Sequence, residues 1–258
     1  MGEIKLALIG GSGFYRPGML ADTEDKIIET PYGEAAVVIG TLADRKVAFL
    51  ARHGKGHSLL PHQLNYRANI WALKSLGVKR VLATTAVGSM QPNFPPGSLV
   101  IIDQFLDFTK QRPLTFFEDG DVHRAHVDVT HPYCGGLRDE LVKAAAKHQI
   151  PIHAGGCYVC AEGPRYETLA EIKAYQMLGG DVVGMTGVPE VVLARELGLC
   201  YANISIVTNW AAGISPQALS HAEVVEIMAE NQEKLRQLIT ECLASAAVEC
   251  SVNCCNLS

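Results

Sequence analysis

Hydrophobic residues along the chain fall into two kinds of segment. Short runs rich in β-branched residues alternate with longer stretches in which apolar residues recur every three or four positions. This alternation is typical of an α/β fold in which helices cover a sheet. The predicted strands are 4–9, 46–51, 78–84, 99–102, 152–160, 181–185 and 199–207. The predicted helices are 65–76, 137–148, 168–178, 189–197 and 221 to about 246, and glycines at 77, 179 and 198 are expected C-caps.

No internal repeat, linker or change of composition divides the chain. We therefore expect one domain over residues 1–247 and a tail, residues 248–258, that contains three cysteines. The longest stretch without periodicity, 103–132, is rich in aromatic residues and histidine. A connection of this length usually carries function or lies at an interface.

The charge pattern excludes two classes of partner. The 258 residues include 22 Lys and Arg against 27 Asp and Glu, a formal net charge of -5, and the basic residues form no stripe that would bind nucleic acid. No apolar run approaches the roughly 20 residues that span a bilayer. Glu3 and Lys5 interrupt the first apolar stretch, unlike a signal peptide. We expect no membrane partner and a cytoplasmic location.

Most of the eight cysteines are expected to be reduced core residues. Those that lie in apolar segments are Cys134, Cys157, Cys160, Cys200 and Cys242. Zinc binding by Cys157 and Cys160 is disfavoured, because residues three apart on a strand point to opposite faces. We expect no metal site, and the absence of a G-x-S-x-G sequence disfavours a serine hydrolase.

Several candidate ligand-binding segments follow predicted strands. The run Gly10-Gly11-Ser12-Gly13 can aim backbone N–H groups at an anion, although a glycine turn alone is more often only a turn. Arg16 breaks the dinucleotide fingerprint, and no Walker sequence follows. The segment 52–57 concentrates Arg52, His53, Lys55 and His57 in a loop that could equally be a solvated surface.

Two further strand ends carry hydroxyl groups, in the segments 84–89 and 185–187. Ligands of open α/β sheets gather outside the carboxyl ends of strands. We expect the four segments described above, each at the end of a strand, to meet at one edge of the sheet. Their convergence, rather than any one motif, predicts a phosphate or sugar-phosphate site.

The motifs taken together resemble the methylthioadenosine phosphorylase branch of the trimeric purine nucleoside phosphorylases. They are Ile9-Gly10-Gly11-Ser12-Gly13, Ala51-Arg52-His53-Gly54, residues 65–73, Gly163-Pro164-Arg165 and residues 185–190. The resemblance implies a single α/β domain with a mixed, partly barrel-like sheet flanked by helices. It also implies a homotrimer, with a dimer of trimers left open, and phosphorolysis of a purine nucleoside without a cofactor, inorganic phosphate being the co-substrate.

The resemblance also assigns residues to subsites. Ser12, Arg52, His53, Thr85, Ala86 and Thr186 resemble the phosphate site of this family, and Met185 resembles the residue beneath the ribose. His57 either supports phosphate or only packs nearby. His126 resembles a residue that reaches the site of a neighbouring subunit, although it could equally be a surface histidine.

The departures from the family pattern concern the purine. Relatives that cleave 6-aminopurines carry Asp at the positions of Asn209 and Ala211, which flank Trp210. A carboxamide offers N–H to N7 or to a 6-oxo group but cannot protonate the base. Glu167 resembles the 6-oxopurine enzymes, and a carboxylate accepts from the N1–H of hypoxanthine while it repels the N1 lone pair of adenine. The alternative is that Glu167 only caps the following helix.

We therefore expect a purine nucleoside phosphorylase acting on inosine and guanosine in purine salvage. Asn209, Glu167 and His53 are its catalytic candidates, and Met185, Glu167, Asn209, Trp210, Ala211 and His221 its nucleoside-binding candidates. The alternative is a 5′-methylthioinosine or 5′-methylthioadenosine phosphorylase. His221 favours a 5′-hydroxyl over a thioether, unless it is only a partly exposed histidine in the first turn of its helix. A nucleoside hydrolase and a nucleotide sensor are rivals from other classes.

Overall fold

Parallel and antiparallel strands pair in one mixed sheet. The computed structural model describes residues 4–11, 19–54, 56, 58–118, 120, 126–215, 221–247 and 250, without the side chains of 221–223. Within these residues the strands are β1 (Leu6–Gly10), β2 (Ala21–Thr30), β3 (Gly33–Leu42), β4 (Arg45–Ala51), β5 (Arg80–Ser89), β6 (Leu99–Ile101), β7 (Gln104–Phe108), β8 (Cys157–Ala161), β9 (Val182–Gly184) and β10 (Cys200–Trp210). The helices are α1 (Tyr66–Ser75), α2 (Gly135–Lys147), α3 (Leu169–Met177), α4 (Gly187–Glu196) and α5 (His221–Ser245).

The sheet is open and branches at β5. Its order is β2-β3-β4-β1-β5-β9-β8-β7, and β10, which also pairs with β6, lies beside β5 off this path. β1 runs parallel to β4 and β5, and β10 runs parallel to β5, whereas β9 runs antiparallel to β5. The prediction of a single α/β domain with a mixed sheet is confirmed.

Helices cover both faces of the central strands. Along β1, Ala7 and Ile9 join one apolar cluster while Leu6 and Leu8 join another, as the alternation of side chains on a strand requires. The first cluster contains Ile70 and Leu73 of α1 and Val191 and Leu193 of α4. The second contains Leu137 and Leu141 of α2 and Leu238 and Ile239 of α5. The site must therefore lie at an edge of the sheet rather than on a face.

All five predicted helices form, and local signals mark the termini of several of them. The side chain of Asn65 caps α1 by accepting from the backbone N–H of Ala68 at 3.1 Å. Thr168 and Glu171 form a reciprocal capping box at the start of α3. Gly77 and Gly179, just beyond helix ends, have φ of +88° and +90°, values that glycine adopts without steric cost.

The strand predictions are less complete, and two of them end too early. The predicted strand 78–84 continues as β5 to Ser89, and the predicted strand 199–207 continues as β10 to Trp210. The prediction of strand 152–160 begins too early, since β8 starts at Cys157. β2, β3 and β7 were missed altogether, because β2 is polar and mostly exposed and β7 lies within the stretch assigned as irregular.

The cysteine prediction fails at one position. Cys200 is disulfide-bonded, and the sulfur atoms of Cys134, Cys200 and Cys250 lie within 4.8 Å of one another. A disulfide sulfur is not a thiolate, so this cluster does not offer three thiolate ligands to a metal. Cys157 and Cys160 both lie on β8 as expected, and burial raises the pKa of both thiols, to about 11 and about 12.

None of the described helices combines the length and the apolar character needed to cross a bilayer.

Candidate active site

A cavity of about 450 Å³ opens at one edge of the sheet. Segments distant in sequence line it: the end of β4, the second half of β5, the loop after β8, the β9–α4 junction and β10. The lining residues predicted from sequence are Arg52, His53, Thr85, Ala86, Glu167, Met185, Thr186 and Asn209. The cavity therefore unites residues that the sequence separates by more than a hundred positions.

The cavity exists because β1 ends before β5 does. β1 pairs with β5 only as far as Ile9 and Ala83, whereas β5 continues to Ser89 beside β10. The backbone N–H of Gly11 donates to Thr84 Oγ1 at 2.9 Å where the two strands separate. Thr85 and Ala86 thus lie within β5, at positions that β1 no longer reaches.

Arg52 enters the cavity as part of a buried ion pair. Its Nε and Nη2 donate to the two oxygens of Glu190, each at 2.7 Å, and its Nη1 donates to the Thr84 carbonyl at 2.7 Å. Burial by itself would lower the pKa of the guanidinium, but the charge of Glu190 and the hydrogen bonds to it hold that pKa above its ordinary value. Arg52 is therefore a fixed cation.

His53 follows with a defined ring orientation. Its Nδ1 lies 2.9 Å from the carbonyl oxygen of Leu59. A carbonyl only accepts, so Nδ1 must carry a proton and donate. The ring is buried at 4% exposure, and its opposite nitrogen, Nε2, can accept or donate according to its charge.

The β9–α4 junction brings Met185 and Thr186 to the cavity. Thr186 is the N-cap of α4, yet its side chain makes no capping hydrogen bond. The backbone N–H groups of Thr186 and Gly187 instead donate to Tyr158 Oη, at 3.1 and 3.3 Å. The hydroxyl of this N-cap residue is thereby left for a ligand rather than for its own helix.

Thr85 belongs to a buried polar cluster with β10. Its Oγ1 lies 2.8 Å from Ser205 Oγ and 3.1 Å from Asn203 Oδ1, and Ser205 Oγ donates to the same Asn203 oxygen. These contacts connect Thr85 to the neighbouring strand behind the cavity. Sequence reasoning did not find Asn203 or Ser205, because polar residues inside an apolar strand become informative only once their neighbours are known.

A β-bulge directs Asn209. Val207 pairs with Val87 and Asn209 with Gly88, so Thr208 is an extra residue in β10. Asn209 Nδ2 donates to the Trp210 carbonyl at 2.9 Å, and Oδ1 accepts from Thr208 Oγ1 at 2.9 Å. The carbonyl partner fixes which side of the amide carries nitrogen. One amide N–H and one oxygen lone pair remain for a ligand.

Glu167 lies in the loop between β8 and α3, where it lines the cavity. The predicted alternative, that it caps α3, is wrong: Thr168 and Glu171 provide that cap. Burial raises the pKa of the Glu167 carboxyl, and the charge of Glu171 acts in the same direction. Because Thr168 and Glu171 form the cap of α3, the Glu167 side chain is available to the cavity.

Arg112, which sequence reasoning missed, connects two loops of the site. Its Nη1 donates to the carbonyls of Met185 and Val188, at 2.6 and 3.0 Å, and its Nη2 donates to the carbonyl of Glu162 at 2.7 Å. The side chain is only 2% exposed. Part of the stretch 103–132 therefore supports the site from behind, which only its tertiary contacts reveal.

Not every predicted residue reaches the cavity. Trp210 and Ala211 follow Asn209 but do not line it, and His126 is exposed at the surface. Ser12 and His57 lie outside the described residues, as does the side chain of His221. Leu60, Pro61, Tyr166 and Val224 line the cavity and were not predicted.

Comparison with known proteins finds a family and several relatives that this chain resembles. The family model of the phosphorylase superfamily matches residues 5–244. A probable 6-oxopurine nucleoside phosphorylase of Moorella thermoacetica is 55% identical over 93% of this chain and 92% of its own. A 6-oxopurine nucleoside phosphorylase of Pyrococcus furiosus is 54% identical over 91% and 90%.

A solved structure is also similar. Methylthioadenosine phosphorylase from Schistosoma mansoni, in complex with adenine, superposes with a TM-score of 0.89 at 36% identity, covering 93% of this chain and 91% of that one. The matched family model, the identity to these relatives and the shared fold show that this chain belongs to the phosphorylase superfamily.

Proposed function

We propose that this protein cleaves 6-oxopurine nucleosides with inorganic phosphate and without a cofactor. A phosphate oxygen forms a bond to C1′ of the ribose while the bond from C1′ to N9 breaks, and its electron pair leaves with the purine. The departing purine takes up the proton that monohydrogen phosphate gives up on forming the ester, and inosine thus yields hypoxanthine and ribose 1-phosphate. The observation that carries the proposal is a single cavity lined by Arg52 and Thr186 together with Glu167 and Asn209.

In this proposal Arg52, His53, Thr85, Ala86 and Thr186 bind phosphate, together with Ser12. The buried guanidinium and the uncommitted N-cap hydroxyl of Thr186 support that assignment. Met185, which lines the same cavity, would contact the ribose. Phosphate held below C1′ provides both the nucleophile and a negative charge that stabilises an oxocarbenium-like transition state.

Glu167 and Asn209 would recognise the purine. The carboxylate accepts from N1–H of a 6-oxopurine, and the remaining amide N–H of Asn209 donates to N7 or O6. The amide N–H of Asn209 stabilises negative charge that develops on the leaving base, whereas Glu167 selects a base that carries N1–H. Removal of a donor of this type typically lowers turnover by about 100- to 1,000-fold.

The second candidate is a phosphorylase for 5′-methylthio nucleosides, and the solved neighbour that carries that name favours it. Methylthioadenosine itself is opposed by Glu167, which would face the lone pair on N1. Methylthioinosine is opposed by His221, because an imidazole gains nothing from a thioether. Comparison of inosine, adenosine and both methylthio nucleosides under identical conditions decides between the candidates.

The deciding experiment measures base release from inosine with and without inorganic phosphate. A phosphorylase releases hypoxanthine only when phosphate is present and produces ribose 1-phosphate. Release at an undiminished rate in phosphate-free buffer would identify a nucleoside hydrolase. Tight binding without release in either buffer would identify a sensor.

We further propose a homotrimer in which His126 reaches the ribose end of a neighbouring subunit's site. The exposed position of His126 leaves it accessible to a neighbouring subunit. Sedimentation at assay concentration tests it, and a fully active monomer would contradict it. A cytoplasmic location stays a prediction of the sequence.

A further inference from the structure

Glu190 is buried, charged and outside the cavity, and its carboxylate is fully engaged. It accepts two hydrogen bonds from Arg52, each 2.7 Å long, through Nε and Nη2. The side chains of Arg52 and Glu190 are 0% and 1% exposed. A planar guanidinium held at two points by a carboxylate cannot rotate independently of it. The orientation of Arg52 is therefore set by Glu190.

Glu190 is itself anchored by Tyr201. Tyr201 Oη donates to Glu190 Oε1 at 2.6 Å, and Tyr201 lies on β10 opposite Val81 of β5. Burial raises the pKa of the Tyr201 phenol well above its ordinary value, and the charge of Glu190 acts in the same direction. The phenol thus stays protonated and donates. Glu190 also lies in the first turn of α4, where the helix dipole favours a negative charge.

The remaining hydrogen-bond capacity of Arg52 is what a ligand can use. Three of its five N–H groups are committed to described residues, two to Glu190 and one to the Thr84 carbonyl. One N–H on each of Nη1 and Nη2 remains, and Arg52 lines the cavity. Glu190 thereby determines which donors the guanidinium presents to an anion.

The backbone around Arg52 leaves it little freedom. A Cβ atom on Gly11 would lie 2.9 Å from Arg52 Nη1 and would overlap the Thr84 carbonyl oxygen. The Arg52 backbone N–H also donates to the Gly10 carbonyl at 3.0 Å. The guanidinium is enclosed by the glycine turn after β1 on one side and by Glu190 on another.

We propose that Glu190, supported by Tyr201, is a positioning residue for phosphate, an inference that rests on the proposed function. Loss of the carboxylate has two opposed effects. It removes the contact that orients Arg52, and it removes a negative charge that partly neutralises the guanidinium. If orientation dominates, phosphate binds more weakly without Glu190. If charge dominates, phosphate binds more tightly.

The experiment compares Glu190→Gln with Glu196→Gln in otherwise unchanged protein. Glu196 is a matched control, because it is a 3% exposed glutamate on the same helix and accepts from the Phe116 backbone N–H at 2.8 Å. Neither carboxylate lines the cavity. The readouts are kcat, the KM values for phosphate and inosine, calorimetric binding of inorganic phosphate, and the unfolding temperature.

We expect Glu190→Gln to raise the phosphate KM by at least about tenfold, an effect of about 1.4 kcal/mol, while the inosine KM changes by less than about twofold. Glu196→Gln should leave the phosphate KM near the wild-type value. An unchanged or lower phosphate KM in folded Glu190→Gln would overturn the proposal, as would an equal increase in Glu196→Gln.

Tyr201→Phe covers the case in which Glu190→Gln does not fold. It keeps the ion pair and removes only the hydroxyl, and we expect a phosphate KM raised by about threefold, from loss of a hydrogen bond of roughly 0.5 to 1.5 kcal/mol. An unchanged phosphate KM in Tyr201→Phe would then overturn the proposal. Phosphate-independent base release by the wild type would instead contradict the proposed function itself.

Discussion

Tyr158 and Thr186 are connected through the backbone of the α4 N-terminus. The phenolic oxygen of Tyr158, on β8, accepts the N–H of Thr186 at 3.1 Å and that of Gly187 at 3.3 Å. A Cβ atom on Gly184 would overlap that oxygen, so the strand before the junction must present glycine there. A buried tyrosine thus accepts the two N–H groups that precede the kink of α4 at Val188, and the Thr186 side chain is left to the cavity.

The Tyr158→Phe substitution should destabilise the protein. It leaves the two N–H groups of Thr186 and Gly187 without their acceptor, at a cost of about 1 to 3 kcal/mol for buried groups. Urea unfolding measures the change. Tyr175→Phe is the control, since Tyr175 is a buried tyrosine of α3 that stacks on Phe108. Equal stability of Tyr158→Phe and wild type would contradict the role of the hydroxyl.

The Arg52→Lys substitution should weaken phosphate binding. Lysine keeps the positive charge but lacks the planar guanidinium, which can donate hydrogen bonds to Glu190, Thr84 and the ligand at the same time. We expect the phosphate KM to rise by about 10- to 100-fold, the equivalent of about 1.5 to 3 kcal/mol. Lysine is preferable to alanine here, because alanine would leave Glu190 buried without a partner.

Arg80→Lys is the matched control for Arg52→Lys. Arg80 is equally buried, at 2% exposure, but bonds Glu140 and the Ala247 carbonyl away from the cavity. It should lower stability without changing the phosphate KM. A similar rise of the phosphate KM in both variants would show that the effect comes from packing.

The pH dependence of inosine cleavage should report Glu167. Burial raises the pKa of this carboxyl, so it stays protonated to a higher pH than an exposed glutamate does. The ionised form accepts from N1–H more strongly than the neutral acid does, and kcat/KM for inosine should therefore rise as the pH rises through that pKa. Glu167→Gln should lower kcat/KM and flatten the acid limb. An identical acid limb in wild type and variant would contradict this role.

The raised pKa of Glu167 affects stability in the direction opposite to its effect on activity. A carboxyl whose pKa is raised by folding stabilises the native state only while it is protonated, and that contribution is lost as the pH rises through the folded pKa. Glu167→Gln should therefore be more stable than wild type above that pKa and show no such gain below it. Thermal unfolding across this pH range measures the difference.

The Asn209→Asp substitution should shift activity towards 6-aminopurine nucleosides. The position of Asn209 Nδ2, 2.9 Å from the Trp210 carbonyl, would then hold a carboxyl oxygen. Two oxygens this close favour a protonated carboxyl, whose single proton must turn from the Trp210 carbonyl to N7 as adenine leaves. The ratio of kcat/KM for adenosine to that for inosine should increase by about tenfold or more.

The Asn209→Ala variant distinguishes the effect of an acid at position 209 from the effect of losing the asparagine amide. It should reduce cleavage of both nucleosides and leave their ratio near that of wild type. If Asn209→Asp behaves like Asn209→Ala, position 209 does not determine the choice of purine. Addition of Glu167→Ser to Asn209→Asp should increase the adenosine ratio further, because the carboxylate that repels N1 of adenine is removed.

The sequence by itself determined the helices, since helix periodicity and capping are local. Asn65, Thr168 and Glu171 act within a few residues of themselves, and all five helices form where the pattern predicts them. It also determined which residue types can bind an anion or a purine. Arg52, Thr186, Glu167 and Asn209, which lie in four separate segments of the sequence, line one cavity.

Only the tertiary structure decided how those residues are held. Arg52 and Glu190 are 138 positions apart, and Tyr158 and Thr186 are 28 apart. No periodicity along the chain encodes such pairs, because each forms only when β strands are placed side by side. Strand length is non-local for the same reason: β5 continues past Thr84 because β10 stays beside it, and the cavity opens there because β1 has already ended.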